Sequence, residues 1–194
     1  MSDEVGQEYF AGLLLSSGSD GADADDGVYY AGIVAGLTSN QIRLHHAIYR
    51  CFASNVAEYP ESNEAKGKNA VWMSLDDAAG LINIIEGDDP LEVVSESLEA
   101  LNQRGLVDLG GVSTPKLFAD IGIVTAIPSC VTIATDMGIR LFLRAYGIRT
   151  SDAKRMFEFD WSQPDSLGEI ATSAFVGPYD KGFPPSGSSA SKGD

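Results

Sequence analysis

The 194-residue chain is long enough for one domain of ordinary size with flanking segments, and its 44% of hydrophobic residues are enough for a packed core. Its formal net charge of −15 argues against non-specific binding to nucleic acid or anionic lipid, because both need clustered positive charge. The longest apolar tract, residues 121–135, contains Pro128 and is shorter than the roughly 20 residues of a membrane helix. We therefore expect a globular protein that does not span a membrane.

The N-terminal segment, residues 1–27, predicts a short amphipathic helix over 4–15 and then an acidic flexible linker over 16–27. The first residues carry acids and no basic region, so they do not resemble a secretory signal and we expect a cytoplasmic protein. The aspartates of the linker raise the question of calcium, but their spacing does not supply the oxygen, glycine and glutamate positions of an EF-hand loop. We interpret them as a solvated linker: Asp20, Asp23, Asp25 and Asp26.

Residues 28–74 predict two helices, a loop and a strand. An apolar helix covers 28–37, and the next helix begins after Thr38 or Ser39, either of which can cap its free amides. Its buried stripe is expected to contain Leu44, Ile48, Cys51 and Phe52. A polar loop over 59–68 leads to a short strand at 71–73, and Ser74 is expected to cap the helix that follows.

The helix predicted over 90–104 has the clearest boundaries in the chain. Asp89 can cap its first turn, Pro90 occupies the first helical position, and Gly105 suits a left-handed C-terminal cap. Its apolar residues recur at three- and four-residue spacing, which indicates one buried face: Leu91, Val94, Leu98 and Leu101.

Two β-branched segments follow and are expected to pair. A strand over 106–109 ends at Gly110-Gly111, a long wing covers 110–129 and includes Leu117 and Phe118, and a strand returns over 131–135. Asp136 is expected to cap the last helix of the domain, which Gly147 ends.

This order of elements predicts a mainly α protein with a small β-hairpin: a winged helix-turn-helix-like domain over 28–150, preceded by N-terminal helices. Residues 151–175 are expected either to add a strand or to dock on the domain through Phe157, Phe159 and Trp161. The tail over 176–194 is rich in Gly, Pro and Ser, which is typical of disorder.

Little of the sequence suggests catalysis. Cys51 and Cys130 lie among apolar neighbours and are expected to be buried thiols rather than a disulfide. His45 and His46 are adjacent on a helix and point about 100° apart, which does not suit a metal face, so we expect one surface and one boundary histidine. The acid pairs at 76–77 and 88–89 sit at helix starts and read as caps. We expect a non-enzymatic protein without metal or cofactor, although an active site built from scattered residues would leave no such pattern.

The helix that would enter the major groove in a winged helix is acidic. Residues 89–104 carry four acids and one base, and the outward positions hold Glu92, Glu96 and Glu99. Positive charge instead collects further on, at Arg140, Arg144, Arg149, Lys154 and Arg155. This cluster has two interpretations: a solvent-exposed pair of Arg140 and Arg144 that complements the helix C-terminus, or a contact patch for an acidic partner or a phosphate backbone.

Four stretches of the chain resemble the C-terminal region of the bacterial Abi-alpha (abortive infection alpha) proteins over residues 9–148. They are F-A-G-L-L before the acidic linker, Y-Y-A-G-I-V-A-G-L-T-S-N-Q-I-R-L-H-H-A-I, L-E-A-L-N-Q-R-G-L-V-D-L, and V-T-I-A-T-D-M-G-I-R-L-F-L-R-A-Y. The resemblance implies a cytoplasmic bacterial protein with a role in phage defence. It implies no catalytic residue, and the longer N-terminal portion of that family is not matched in this sequence.

Three hypotheses therefore follow. The first is an interaction module whose wing, through Leu117 and Phe118, binds a protein partner or a second copy of the chain. The second is a DNA-binding transcriptional regulator that uses the basic cluster over 140–155. The third is a toxic effector or enzyme, for which the sequence offers no recognisable set of residues.

Overall fold

The computed structural model describes residues 4–17, 23–56, 70–82, 84–120, 125–161 and 174–177. Within these ranges the chain is mainly helical, with a small antiparallel sheet. The helices are α1 (Glu4–Ser16), α2 (Asp23–Ala35), α3 (Ser39–Asn55), α4 (Leu75–Leu81), α5 (Pro90–Gln103), α6 (Pro115–Asp120) and α7 (Asp136–Ala145), with a 3-10 helix at Ala153–Glu158. The strands are β1 (Ala70–Ser74), β2 (Val107–Ser113), β3 (Ser129–Ala134) and β4 (Phe175–Gly177).

The sheet has the order β2-β3-β1-β4, and every neighbouring pair is antiparallel. β3 and β1 are the two interior strands of the sheet. β3 pairs with β2 and β1, and β1 pairs with β3 and β4. One face of the sheet contributes Val71, Met73 and Cys130 to the main core. The opposite face forms a small second cluster around Trp72 and Val131.

Helix α3 is the central helix, because it packs against α1, α5 and α7 as well as against the sheet. Its side chains from Leu44 to Phe52 are all buried, so it is covered on several sides rather than along a single stripe. The predicted capping box is confirmed: the Thr38 hydroxyl accepts from the Gln41 amide, and the Gln41 side chain accepts from the Thr38 amide. Among the described helices, none is long and apolar enough to cross a membrane.

Several predicted helix ends are confirmed by their hydrogen bonds. The Asp89 carboxylate accepts from the Leu91 amide at 3.0 Å, and the Ser74 hydroxyl accepts from the Asp77 amide at 3.0 Å. Gly105 has φ 69°, the left-handed conformation expected after α5. The predicted cap of α7 is wrong by one residue: Thr135 supplies the oxygen that accepts from the Gly138 amide, and Asp136 is the first residue of the helix.

The region predicted as the wing differs from the expectation in two ways. β2 does not end at Gly110-Gly111 but continues to Ser113, across a register shift between Asp108 and Gly111. A short helix, α6, then occupies Pro115–Asp120. Residues 121–124, which hold part of the predicted apolar segment, lie outside the described residues, as does the predicted polar loop over 59–68.

The segments before and after the predicted domain contain more regular secondary structure than the sequence predicts, wherever the structure describes them. α2 begins at Asp23, so the prediction of a flexible linker is wrong for residues 23–27. Ser16, the first residue of the predicted linker, belongs to α1, and Val176 and Gly177, the first residues of the predicted disordered tail, belong to β4. Residues 18–22 and 178–194 lie outside the described residues. Within the segment predicted to dock, Trp161 is buried against Phe142 and Tyr146 of the α7 region, whereas Phe159 is 38% exposed.

Candidate functional site

The two adjacent histidines are both buried, so the prediction of one surface and one boundary histidine is wrong. The Nδ1 atom of His45 is 3.1 Å from the Tyr9 hydroxyl of α1, and the Nε2 atom of His46 is 2.9 Å from the Tyr146 hydroxyl that follows α7. Residues about 100° apart on α3 can both be covered because α1 and α7 pack on adjacent sides of it. The two histidines therefore connect α3 to α1 and to the residue that follows α7.

Burial makes His45 an unsuitable acid or base near neutral pH. Desolvation lowers its pKa to about 3, and the neighbouring His46 acts in the same direction. The folded protein therefore holds a neutral imidazole at His45, while the unfolded chain has an ordinary histidine with a pKa near 6.5. The arrangement fits a structural hydrogen bond better than proton transfer.

This depressed pKa predicts a specific loss of stability in acid. Because the unfolded state takes up a proton at His45 and the folded state does not, the stabilisation is complete above pH 6.5 and falls as the pH drops below it. The loss from this group should be about 1.4 kcal/mol per pH unit. Urea unfolding between about pH 7 and about pH 5 measures it. His45→Gln, which cannot titrate, should show the shallower dependence, and equal slopes for both proteins would contradict the prediction.

Two arginines also lie in the interior. Arg144 is 1% exposed, and its guanidinium carbon is 5.1 Å from the centre of the Tyr30 ring. Arg50 is buried as well and lies 5.6 Å from the Trp161 ring. The interpretation of Arg144 as part of a solvent-exposed pair with Arg140 is therefore wrong, because the Arg144 guanidinium is buried against Tyr30 of α2.

The remaining cations of the predicted cluster do not form one exposed patch with Arg144. Arg140 is half-buried, whereas Arg149 and Lys154 are exposed. Arg149 donates to the Leu15 carbonyl at 3.3 Å, and Arg155 pairs with Glu158 at 3.1 Å. Leu117 and Phe118, the other predicted contact residues, belong to α6, but their side chains lie outside the described residues.

Neither cysteine is placed for reactivity. Cys51 and Cys130 are buried free thiols, as predicted, and burial raises the pKa of each to about 12. Within the described ranges, no group of three or more His, Cys, Asp or Glu side chains is arranged to hold a metal ion. The interior of the described part of the chain therefore shows no reactive cysteine and no metal-binding cluster.

The surface feature that stands out is a groove of about 470 Å³ between α1, α2 and the start of α3. α1 supplies Gln7, Phe10, Ala11 and Leu14, and Ala35 of α2 lies opposite. Val28 is two helical turns before Ala35 and extends this surface along α2. We name these six residues the hairpin face. Five of the seven large apolar side chains exposed by the described part of the chain lie on α1 and α2: Phe10, Leu14, Leu15, Val28 and Tyr29.

The helices that carry the hairpin face are firmly attached to the domain. α1 approaches α7 so closely that a Cβ atom on Gly12 would lie 1.8 Å from the Ala145 carbonyl oxygen. Tyr9, Leu13 and Tyr30 bury their side chains in the core. Arg104, at the end of α5, donates to the Gly36 carbonyl at 2.6 Å and so fixes the end of α2. Both helices of the hairpin face are therefore anchored to the domain through buried side chains.

The sequence reasoning missed the hairpin face, although a signal for it was present. Residues 9–15 and 27–42 contain no charged residue, while 21% of the whole chain is charged. A helix that is apolar all round is normally buried on all sides. Comparison of the chain with family models, with curated proteins and with solved structures found no match.

Proposed function

We propose that this protein is a non-enzymatic interaction module that works through protein–protein contacts, and that the hairpin face makes those contacts. The observation that carries the proposal is the hairpin face, whose six residues are uncharged and on which Leu14 is 72% and Val28 is 74% exposed. Contiguous apolar surface of this kind, depleted in charged residues, is typical of the centre of a protein interface.

We further propose that α3, β1, α4, α5, β2 and β3 form a winged helix-turn-helix-like domain. The strand order β2-β3-β1 and the placement of two helices between β1 and β2 support this reading. In that arrangement α5 is the helix that would enter the major groove of DNA. Its outward residues Glu92, Glu96 and Glu99 are all exposed, which favours a partner other than the DNA backbone.

A DNA-binding regulator is the alternative function, and it has weaker support. Of the five cations proposed to bind phosphate, Arg144 is buried and Arg155 is paired with Glu158. Arg149 and Lys154 are exposed but belong to a chain with a net charge of −15. The resemblance to the Abi-alpha proteins adds the proposal that the module acts in the bacterial cytoplasm, in phage defence.

Photo-crosslinking in cells tests the proposed function. A photo-reactive amino acid at position 14 should yield covalent adducts with protein, since Leu14 lies in the hairpin face. The same amino acid at position 85 is the matched control, because Ile85 is 73% exposed, like Leu14, but lies between α4 and α5. Mass spectrometry identifies the adducts. Equal or absent crosslinking at the two positions would contradict the proposal.

A further inference from the structure

The contact between Tyr9 and His45 joins helix α1 to the centre of the domain. The Tyr9 hydroxyl lies 3.1 Å from the Nδ1 atom of His45, whose side chain is 0% exposed. We propose that this contact is an acid-sensitive latch: protonation of His45 releases the hairpin formed by α1 and α2 from α3 and α7, while the rest of the domain stays folded. Such a latch goes beyond the proposed function, because it operates whatever the hairpin face binds.

Helix α1 separates His45 from water. The Tyr9 ring stands edge-on to the rings of His45 and His46, with distances between ring centres of 5.9 and 6.3 Å. From α3 itself, the centre of the Tyr49 ring lies 4.6 Å from that of His45. Tyr49 donates to the Leu106 carbonyl, which holds its ring in the core. Departure of α1 therefore exposes His45 and leaves Tyr49 in place.

The hairpin of α1 and α2 lies at the outside of the domain. α2 packs mainly on α1, and α1 packs in turn on α3 and α7. The hairpin supplies Tyr9, Leu13, Tyr30 and Val34 to the main core, which is otherwise formed by α3, α5, α7 and the sheet. Loss of these four side chains leaves most of that core packed. The hairpin can therefore open as a unit of its own, at a lower free energy than the unfolding of the whole domain.

The groups that touch His45 do not favour a positive charge on it. Burial lowers its pKa most, and the neighbouring His46 lowers it further by charge repulsion. The backbone of Gly138, in α7, acts in the opposite direction without cancelling these two effects. Tyr9 from α1 and Tyr49 from α3 contribute neutral side chains. The closed arrangement is therefore built around an uncharged imidazole.

The charged residues on the surrounding helices do not change this balance. Arg50 follows about one turn after the histidines on α3, and Arg144 lies in α7; both are buried cations. Asp136, at the start of α7, acts on the neighbouring tyrosine of α3 but is not among the groups that shift the pKa of His45. Glu8 lies beside the contact on α1, about 100° around the helix from the tyrosine that makes it.

Opening of the hairpin and protonation of His45 are linked. In the closed protein the pKa of His45 is about 3, against 6.5 for an ordinary histidine. Once the hairpin opens, the imidazole meets water and takes up a proton below about pH 6.5. Between these two pH values the open form should therefore gain about tenfold over the closed form for each unit by which the pH falls.

Hydrogen exchange of the backbone amides, measured by NMR on the full chain, tests the latch. The protection factors of amides in α1 and α2 should fall about 30-fold between about pH 7.5 and about pH 5, after correction for the intrinsic exchange rates. Amides of α5 should have higher protection factors at both pH values. They should also respond more strongly to low concentrations of urea, because they exchange only when the whole domain unfolds.

Two variants assign the effect to His45. His45→Gln cannot titrate, so the protection of α1 should change little with pH. Tyr9→Phe removes the hydroxyl and keeps the imidazole, so protection should be lower at both pH values but show the same fall in acid. If His45→Gln does not fold, the ring nitrogen signals of the wild-type protein still report whether His45 is neutral at about pH 5 in the closed form.

Three results would overturn the latch. The first is a wild-type α1 whose protection is the same at both pH values. The second is an equal fall in folded His45→Gln, and in its absence a protonated His45 in the closed wild-type protein at about pH 5. The third is identical protection factors and urea dependence for α1 and α5, because the hairpin would then open only with the whole domain.

Discussion

Replacing Gly12 with alanine is expected to destabilise the protein by about 3 kcal/mol, because it forces α1 away from α7. The new Cβ atom would lie 1.8 Å from the Ala145 carbonyl oxygen and 2.4 Å from its carbonyl carbon, and both are backbone atoms that cannot rotate aside. Separation of the two helices would also loosen the burial of Tyr9 and Leu13. Urea unfolding, followed by circular dichroism, gives the change in the free energy of unfolding.

A second helical glycine provides the control for this experiment. A Cβ atom on Gly80 in α4 would meet nothing within 4 Å. Gly80→Ala should therefore leave stability unchanged or raise it by up to about 1 kcal/mol through the higher helix propensity of alanine. Equal changes in the free energy of unfolding for Gly12→Ala and Gly80→Ala would contradict the close approach of α1 to α7.

The Arg144→Glu variant should lose about 3–5 kcal/mol of stability, because it places a carboxylate in a buried site that is built around a guanidinium. Arg144 is 1% exposed and lies over the face of Tyr30, whose negative π-surface attracts a cation and repels an anion. The unfolding free energy is again the measurement. Recovery of the folded protein after expression gives a second readout.

Arg149→Glu makes the same change of charge five residues later, at an exposed position. It should alter stability by no more than about 0.5 kcal/mol, because it breaks only a surface hydrogen bond to the Leu15 carbonyl. Similar stability losses in the two variants would show that Arg144 is not buried in solution. Of these two variants, Arg149→Glu is the one suited to test DNA binding, because it removes a positive charge from the surface without damage to the core.

Local chemistry allowed the helix boundaries to be predicted from the sequence. Asp89, Pro90 and Gly105 define α5 because the cap, the missing amide hydrogen and the left-handed glycine each act within one turn. The wrong cap at α7 occurred because Thr135 and Asp136 are both able to cap a helix. Only the backbone conformation decides between two adjacent candidates. The helix α6 inside the wing did have a signal, Pro115 at its first position.

Burial of the polar residues could not be predicted in the same way. His45, His46 and Arg144 have the polarity of surface residues, and their partners Tyr9, Tyr146 and Tyr30 are distant in the sequence. A helical pattern identifies the apolar face, but it does not show how many other helices cover the remaining faces. The hairpin face was missed because the patterns over 4–15 and 28–37 predict two helices but do not show which of their apolar residues stay exposed.

The sheet described above limits the ways in which this protein can assemble. Its outer strands are β2 and β4: β2 is irregular between Asp108 and Gly111 and has α6 packed beside it, while β4 is only three residues long. Short or irregular edges give an incoming strand few backbone groups to pair with. Growth of the sheet from one molecule into the next, the route by which strands build fibres, is thus disfavoured at both borders.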